Sequence, residues 1–189
     1  ELIRNLARST GGIGLRSAIR VIQDVLVDKS GALEPGAVRL ADRPLGSLAC
    51  ADDFFDTLRA DIAKVLSHVV TGVGKVQKIF GSGSLEIRVA KVVAALQAVE
   101  TFPRTAENIA ALLYGSMGAP SLLDQVREAL HRLTEEQECG VIEDPQAGGY
   151  VFLSDAVKPI RDKRGRYLPT SAECTLARID VLKEGSSDH

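Results

Sequence analysis

The sequence has no tryptophan and only three tyrosines and five phenylalanines among its 189 residues. A core with so few aromatics has to be assembled from Leu, Val, Ile and Ala, which favours helix packed on helix. Long apolar runs are missing too. No stretch approaches the ~18 to 20 uninterrupted apolar residues that cross a bilayer, so no membrane partner is expected. Cysteine is sparse and odd in number. Cys50, Cys139 and Cys174 are too widely spaced for a disulfide framework and are expected to be reduced, buried thiols of a cytoplasmic protein. The chain opens Glu1-Leu2-Ile3-Arg4, with no methionine, signal-peptide apolar core or basic leader. It is therefore expected to be an internal piece of a longer protein.

What is present is ordinary for a folded protein: 45% apolar and 25% charged residues, a balance that excludes a disordered tail. The length permits one large domain or two small ones. A glycine-bearing turn, Arg8-Ser-Thr-Gly-Gly-Ile-Gly14, leads into a helix starting near Leu15. There Leu15, Ile19, Ile22 and Leu26 form one apolar stripe, with Arg16, Arg20 and Asp24 off it. Residues 28–50 carry Gly31, Pro35, Gly36, Pro44 and Gly46 and read as an extended connection with room for one short helix or strand. From Asp53 onward Phe55, Leu58, Ile62, Val65, Val69, Val73, Val76 and Phe80 recur at helical spacing. Gly72 and Gly74, each costing about 1 kcal/mol against Ala inside a helix, place the expected break there. Gly81-Ser-Gly-Ser84 marks a flexible junction and the expected domain boundary.

Beyond that junction the sequence predicts three helices and a hairpin, the order of a winged helix. Ser84 caps a helix whose inner face is Leu85, Val89, Val92, Val93, Leu96 and Val99, stopped by Pro103. Thr105 caps a short second helix with Ile109, Leu112 and Leu113, ended by Gly115. Ser121, with Asp124 three residues on, opens a third through Leu122, Val126, Leu130 and Leu133, and Gly140 closes it. Val141–Glu143 and Tyr150–Leu153 then form two strands around the turn-rich loop Asp144-Pro-Gln-Ala-Gly-Gly149. A winged helix that reads DNA lays its third helix in the major groove. Between Ser84 and Asp155, however, five basic residues face eleven acidic ones, a net charge of −6. Phosphate contacts need Lys and Arg, so this balance favours contact with protein over DNA.

Motifs for chemistry are few. Gly72-Val-Gly-Lys75 lacks the spacing and the Ser or Thr of a phosphate loop, and no GxxxxGK[ST] occurs anywhere. Thr10-Gly-Gly-Ile-Gly14 lacks the third glycine of a dinucleotide loop. His68, His131 and His189 share no ligand spacing with the cysteines, so no metal site is expected. Glu135-Glu-Gln-Glu138 reads as a solvated helix end. Arg161-Asp-Lys-Arg-Gly-Arg166 is the one basic cluster; Arg161, Lys163, Arg164 and Arg166 either touch nucleic acid or form a solvated linker.

The Gly-Gly turn followed by Arg16 at a helix start resembles the lid of AAA-type and related P-loop ATPases. In that family an arginine so placed, called sensor 2, reaches the γ-phosphate bound on the core domain. Guanidinium suits the task because it is always charged and binds phosphate oxygens bidentately. The equally simple reading makes Gly11–Gly14 a plain connection and Arg16 a solvated first-turn residue. Over a longer span, Leu6–Leu26 and Thr101–Tyr114 resemble the large P-loop ATPases of bacteriophage-exclusion (BREX) defence systems. The patterns above give a mainly α chain: a helical segment over 1–83 that the resemblance makes lid-like, a winged helix with a small β-hairpin over 84–155, and a linker or further domain over 156–189. The resemblance implies a bacterial phage-resistance ATPase whose Walker motifs lie upstream of Glu1. It implies ATP as the cofactor of a core domain outside this sequence, with Gly12 and Arg16 on the nucleotide. The implied partners are the rest of the parent ATPase and other defence-system proteins. The alternative is a non-enzymatic winged-helix regulator that binds DNA.

Overall fold

The computed structural model describes residues 22–27, 38–99, 102–154, 157 and 159. The chain divides into two compact units, Glu1–Ser154 and Asp155–His189. The first is mainly helical. Its described elements are α1 (residues 22–27), a 3-10 turn at Leu40–Asp42, α2 (Ala51–Val65), α3 (Ser67–Phe80), α4 (Leu85–Gln97), α5 (Ala106–Leu112) and α6 (Leu123–Glu135). A second 3-10 turn at Gln137–Cys139 leads into the hairpin of β1 (Val141–Asp144) and β2 (Gly149–Phe152).

Helix α4 is the axis of the packing. Ile87, Val89, Ala90, Val92, Val93, Ala94, Ala95 and Leu96 are all buried, so the helix is apolar nearly all round, as an element enclosed by its neighbours has to be. Helices α2, α3, α5 and α6 and strand β2 pack around it. They contribute Phe55, Leu58 and Ile62; Val69, Val73 and Val76; Ile109; Val126, Leu130 and Leu133; and Phe152 to one continuous core. Each fully buried Val, Leu or Ile stabilises the fold by about 1.5–3 kcal/mol relative to exposure.

That continuity revises the boundary expected at residues 83/84. Gly81 sits at φ +86, a conformation glycine adopts without strain. The Ser84 hydroxyl donates to the Gly81 carbonyl at 3.1 Å, and Gln77 donates to Ser82 Oγ at 3.2 Å. A composition typical of linkers is here a tied turn inside one compact unit. Ion pairs cross it as well: Asp52 and Asp56 on α2 meet Arg88 Nε and Lys91 Nζ on α4, each at 2.7 Å.

The break expected at Gly72 and Gly74 falls instead at Leu66, whose φ −131 and ψ 60 separate α2 from α3. Gly72 lies inside α3 because the Phe152 ring needs the space. A Cβ there would stand 2.7 Å from the ring's Cε1 and closer still to Cδ1. The helix-propensity penalty of glycine is thus offset by close approach of the hairpin. In α1, Asp24 and Val25 are buried while Ile22 and Leu26 are exposed. Its inward face is therefore turned about a third of a turn from the apolar stripe, at 3.6 residues per turn.

The hairpin follows from its loop chemistry. Val141 pairs with Phe152 and Asp144 with Gly149, antiparallel. Asp144 Oδ1 accepts from the Gln146 and Ala147 amides, at 2.9 and 3.3 Å, an Asx turn that fixes the first bend. Two groups the sequence does not announce hold the hairpin to the helices. The Gln97 side chain donates to the Phe152 carbonyl at 3.1 Å and accepts from its amide at 2.8 Å, standing in for a neighbouring strand. Arg104, 5% exposed, gives its backbone N–H to Gly148, receives that of Tyr150, and sends Nη2 to the Ala147 carbonyl.

Candidate functional site

The third helix of the predicted module is the natural place to look for a functional face, and its start differs from expectation. The helix begins at Leu123, with Leu122 in the cap position, and the Ser121 hydroxyl accepts from the Leu123 amide at 3.2 Å. Ser84 and Thr105 do cap α4 and α5, accepting from Ile87 N and Asn108 N, each at 3.3 Å. Val126, Ala129, Leu130 and Leu133 turn α6 inward, which leaves Asp124, Arg127, Glu128, His131, Arg132 and Glu135 on the open side.

The electrostatics of that side are settled by pairing. Arg127 Nη2 lies 2.9 Å from Glu107 Oε1 and its Nη1 3.5 Å from Asp124 Oδ1. Arg132 reaches the buried Glu86 at 2.8 Å and Glu128 at 3.8 Å. His131 stands 3.2 Å from Glu135. The remaining cations of residues 84–154 are Arg88 and Lys91, held by Asp52 and Asp56, and Arg104, buried against the hairpin. Hydrogen bonding by its own backbone, then by Arg127 and Thr105, holds the Glu107 carboxyl below its usual range. Among the described residues of this segment, every arginine and lysine is therefore engaged within the chain. The hairpin loop adds no cation: Asp144-Pro-Gln-Ala-Gly-Gly149 carries only acid. A face so arranged offers phosphate no free positive charge. It offers carboxylates in excess.

Between α5 and the start of α6 lies a groove of about 350 Å³, lined by Glu107, Ala110, Ala111, Tyr114, Leu122 and Leu123 among others. The connecting loop is held by the Tyr114 hydroxyl, which donates to Ala119 O at 3.0 Å. The same loop is bridged at Ser116 to Ser47, and the Met117 amide donates to Gly46 O at 3.0 Å. Met117 and Leu45, on either side of this bridge, are 76% and 106% exposed.

A second cluster gathers Cys50, Asp52 and Asp53, whose ligand atoms lie within 4.8 Å of one another. Its positive charge is already supplied. Arg43 clasps Asp53 through Nη1 and Nη2 at 3.1 and 2.7 Å, and Arg88 holds Asp52. The Asp53 hydrogen bond raises the Arg43 pKa, and burial, then Asp52, pushes the Cys50 thiol up. Asp53 also accepts from the Cys50 amide at 3.0 Å and so caps α2. The chemistry is that of an ion-paired helix start, with Arg43 and Arg88 taking up the two carboxylates.

Cys139 is fully buried, and burial, then Glu136 and Glu138, lift its pKa from 9.0 to about 11. A raised folded-state pKa favours the neutral thiol, so this contribution to stability is complete below pH 9.0 and is lost as pH climbs through about 11. At pH 8 a thiol reagent is expected to spare Cys50 and Cys139 in the native chain and label both in denaturant, as read by peptide mass. Stoichiometric native labelling of Cys139 would contradict this burial.

The other residues singled out from sequence fall differently. Gly72-Val-Gly-Lys75 lies within α3, where the amides serve the helix and cannot cradle a phosphate. Gly12, Arg16, Arg161, Lys163, Arg164 and Arg166 lie outside the described residues. Among the described residues no helix is long and apolar enough to cross a membrane. Comparison with known proteins returns no matching family model, no matching curated protein and no matching solved structure.

Proposed function

We propose that residues 84–155 are a winged helix used for protein contact, within a piece of a cytoplasmic P-loop ATPase of bacteriophage-exclusion defence. One observation carries the choice of protein over DNA: Arg88, Lys91, Arg104, Arg127 and Arg132 are all engaged by groups of the same chain. The order α4, α5, α6 and hairpin supports the winged-helix reading, with α6 in the place of a recognition helix. Arg104, bridged to Gly149, stands where a short strand would join the wing sheet. The ATPase reading rests on Arg16, the Gly-Gly turn and the sequence resemblance. In it, ATP binds a core domain outside this sequence, and the partners are that core and other defence-system proteins.

Releasing the cations tests the first part. The triple variant Glu107→Gln, Asp124→Asn, Glu128→Gln frees Arg127 and loosens Arg132. It is expected to gain salt-dependent retention on immobilised duplex DNA that the unaltered chain lacks. Equal retention of both at low salt, abolished by Arg127→Ala, would restore the DNA-reading alternative. For the ATPase part, Arg16→Ala in the parent should lower ATP turnover at least about tenfold, the effect of losing one transition-state contact of about 1.4 kcal/mol. Unchanged turnover would remove the sensing role.

A further inference from the structure

We infer that the groove between α5 and α6 is a docking site for a basic amphipathic segment of a protein partner, one apolar side chain entering the groove and lysines or arginines meeting its rim. The inference rests on the protein-contact reading and names the chemistry of the contact.

The groove's walls are mostly apolar. Ala110, Ala111, Tyr114, Leu122 and Leu123 line it, and its volume of about 350 Å³ admits a leucine- or methionine-sized side chain. The two alanines on one wall make the space: α5 presents Ala110 and Ala111 where larger residues would close it. The loop forming the far wall also carries exposed Met117, cross-bridged to the stretch with exposed Leu45. Single exposed apolar residues are ordinary, and Met117 and Leu45 add apolar surface on the two stretches that the Ser47–Ser116 bridge joins. Methionine suits such a surface because its unbranched side chain adapts to what it meets.

Charge at the rim selects the occupant. Glu107 lines the groove and Asp124 follows Leu123 at its edge, with Arg127 contacting both. Arg127 sits closer to Glu107, at 2.9 Å, than to Asp124, at 3.5 Å. The Asp124 side chain is 98% exposed, so a cation from outside can reach it without breaking the tighter pair. Glu128, 72% exposed, extends the acidic edge one turn further along α6. An acidic segment or a phosphate backbone would meet repulsion here. A helix with apolar anchors at i, i+3 or i+4, and i+7 and basic residues elsewhere would meet both halves of the surface at once.

The test is a titration of the full 189-residue chain, followed by amide chemical shifts. The probe is a short synthetic peptide with leucines at those anchor positions and lysines elsewhere. Expected shifts fall on Glu107–Leu123 and the Asp124 turn. Ala111→Leu, at an exposed position that fills the groove, should weaken binding about tenfold, and Asp124→Lys should weaken it several-fold. The same peptide with glutamates for lysines should not bind. Shifts clustered elsewhere, or affinity indifferent to Ala111→Leu in a chain with native spectral dispersion, would overturn the inference. Such a result would leave the protein-contact reading standing on another face, whereas duplex DNA moving the α6 amides would remove the reading itself.

Discussion

Gly149→Ala is expected to lower the free energy of unfolding by about 4 kcal/mol, combining strained backbone with overpacking. Gly149 holds φ +124, outside the range L side chains adopt easily. Its missing Cβ points at backbone: the new methyl would collide with the Arg104 carbonyl oxygen and lie 2.6 Å from that carbonyl's carbon and 3.2 Å from the Thr105 amide. No side-chain rotation relieves a clash with a peptide group. Relief requires the hairpin to retreat from the α5 entry, which breaks the Tyr150 to Arg104 hydrogen bond of 3.0 Å and unseats Phe152 from Gly72. A shift in the urea midpoint at unchanged slope measures the loss. Gly83→Ala serves as the control, since nothing lies within 4 Å of its Cβ position. A loss below about 1 kcal/mol at Gly149, the average for an unremarkable substitution, would mean that the hairpin is not held by this contact.

Asp56→Ala is expected to cost about 3 kcal/mol, because it strands the ammonium of Lys91 in a site where the residue is only 9% exposed. Side-chain exposure of both partners is 11%, and their 2.7 Å contact joins α2 to α4. Removing one charge from such a pair is far worse than removing both. The double variant Asp56→Leu, Lys91→Met should therefore recover to within about 1 kcal/mol of the unaltered chain. The exposed pair Lys64 and Asp61 makes a shorter contact, 2.6 Å, yet Asp61→Ala should change stability by no more than about 0.5 kcal/mol, since solvent screens it. If Asp56→Ala and Asp61→Ala cost the same, the helices are not locked by this ladder, and the single-core account of α2 through β2 weakens.

Local rules read from sequence reach part of this structure. The caps at Ser84 and Thr105, most of the inward stripes of α2 to α6 and the two strands depend on neighbours a few residues away, and the one-dimensional pattern carries them, although Val65 of the expected stripe is exposed. What depends on distant partners does not show. Leu66, not Gly72, interrupts the long apolar pattern, because Gly72 is spent on Phe152, eighty residues further along. The Ser82-Gly83 junction looks like a linker until the Asp52, Asp56, Arg88 and Lys91 pairs are seen to cross it. Gln97 looks like any polar helix end, and only its two bonds to Phe152 reveal a clamp. The acidic balance of the module was legible as a count. That Arg127 finds Glu107 and Arg132 finds Glu86 was not, since tertiary packing brings those pairs together.

On α6, Arg127 and Arg132 pair with carboxylates of the same chain, and the reading proposed for that face is contact with protein. Amide shifts of the full chain titrated with duplex DNA at low salt test it most directly, because phosphate contacts are strongest there and each one adds about 0.9 to the salt slope. The expected result is that the amides of α6 and of the loop Asp144–Gly149 stay where they are, even if the Arg161–Arg166 cluster responds. Salt-sensitive shifts along Asp124–Glu135 together with the hairpin loop would contradict the account and make this module a DNA reader.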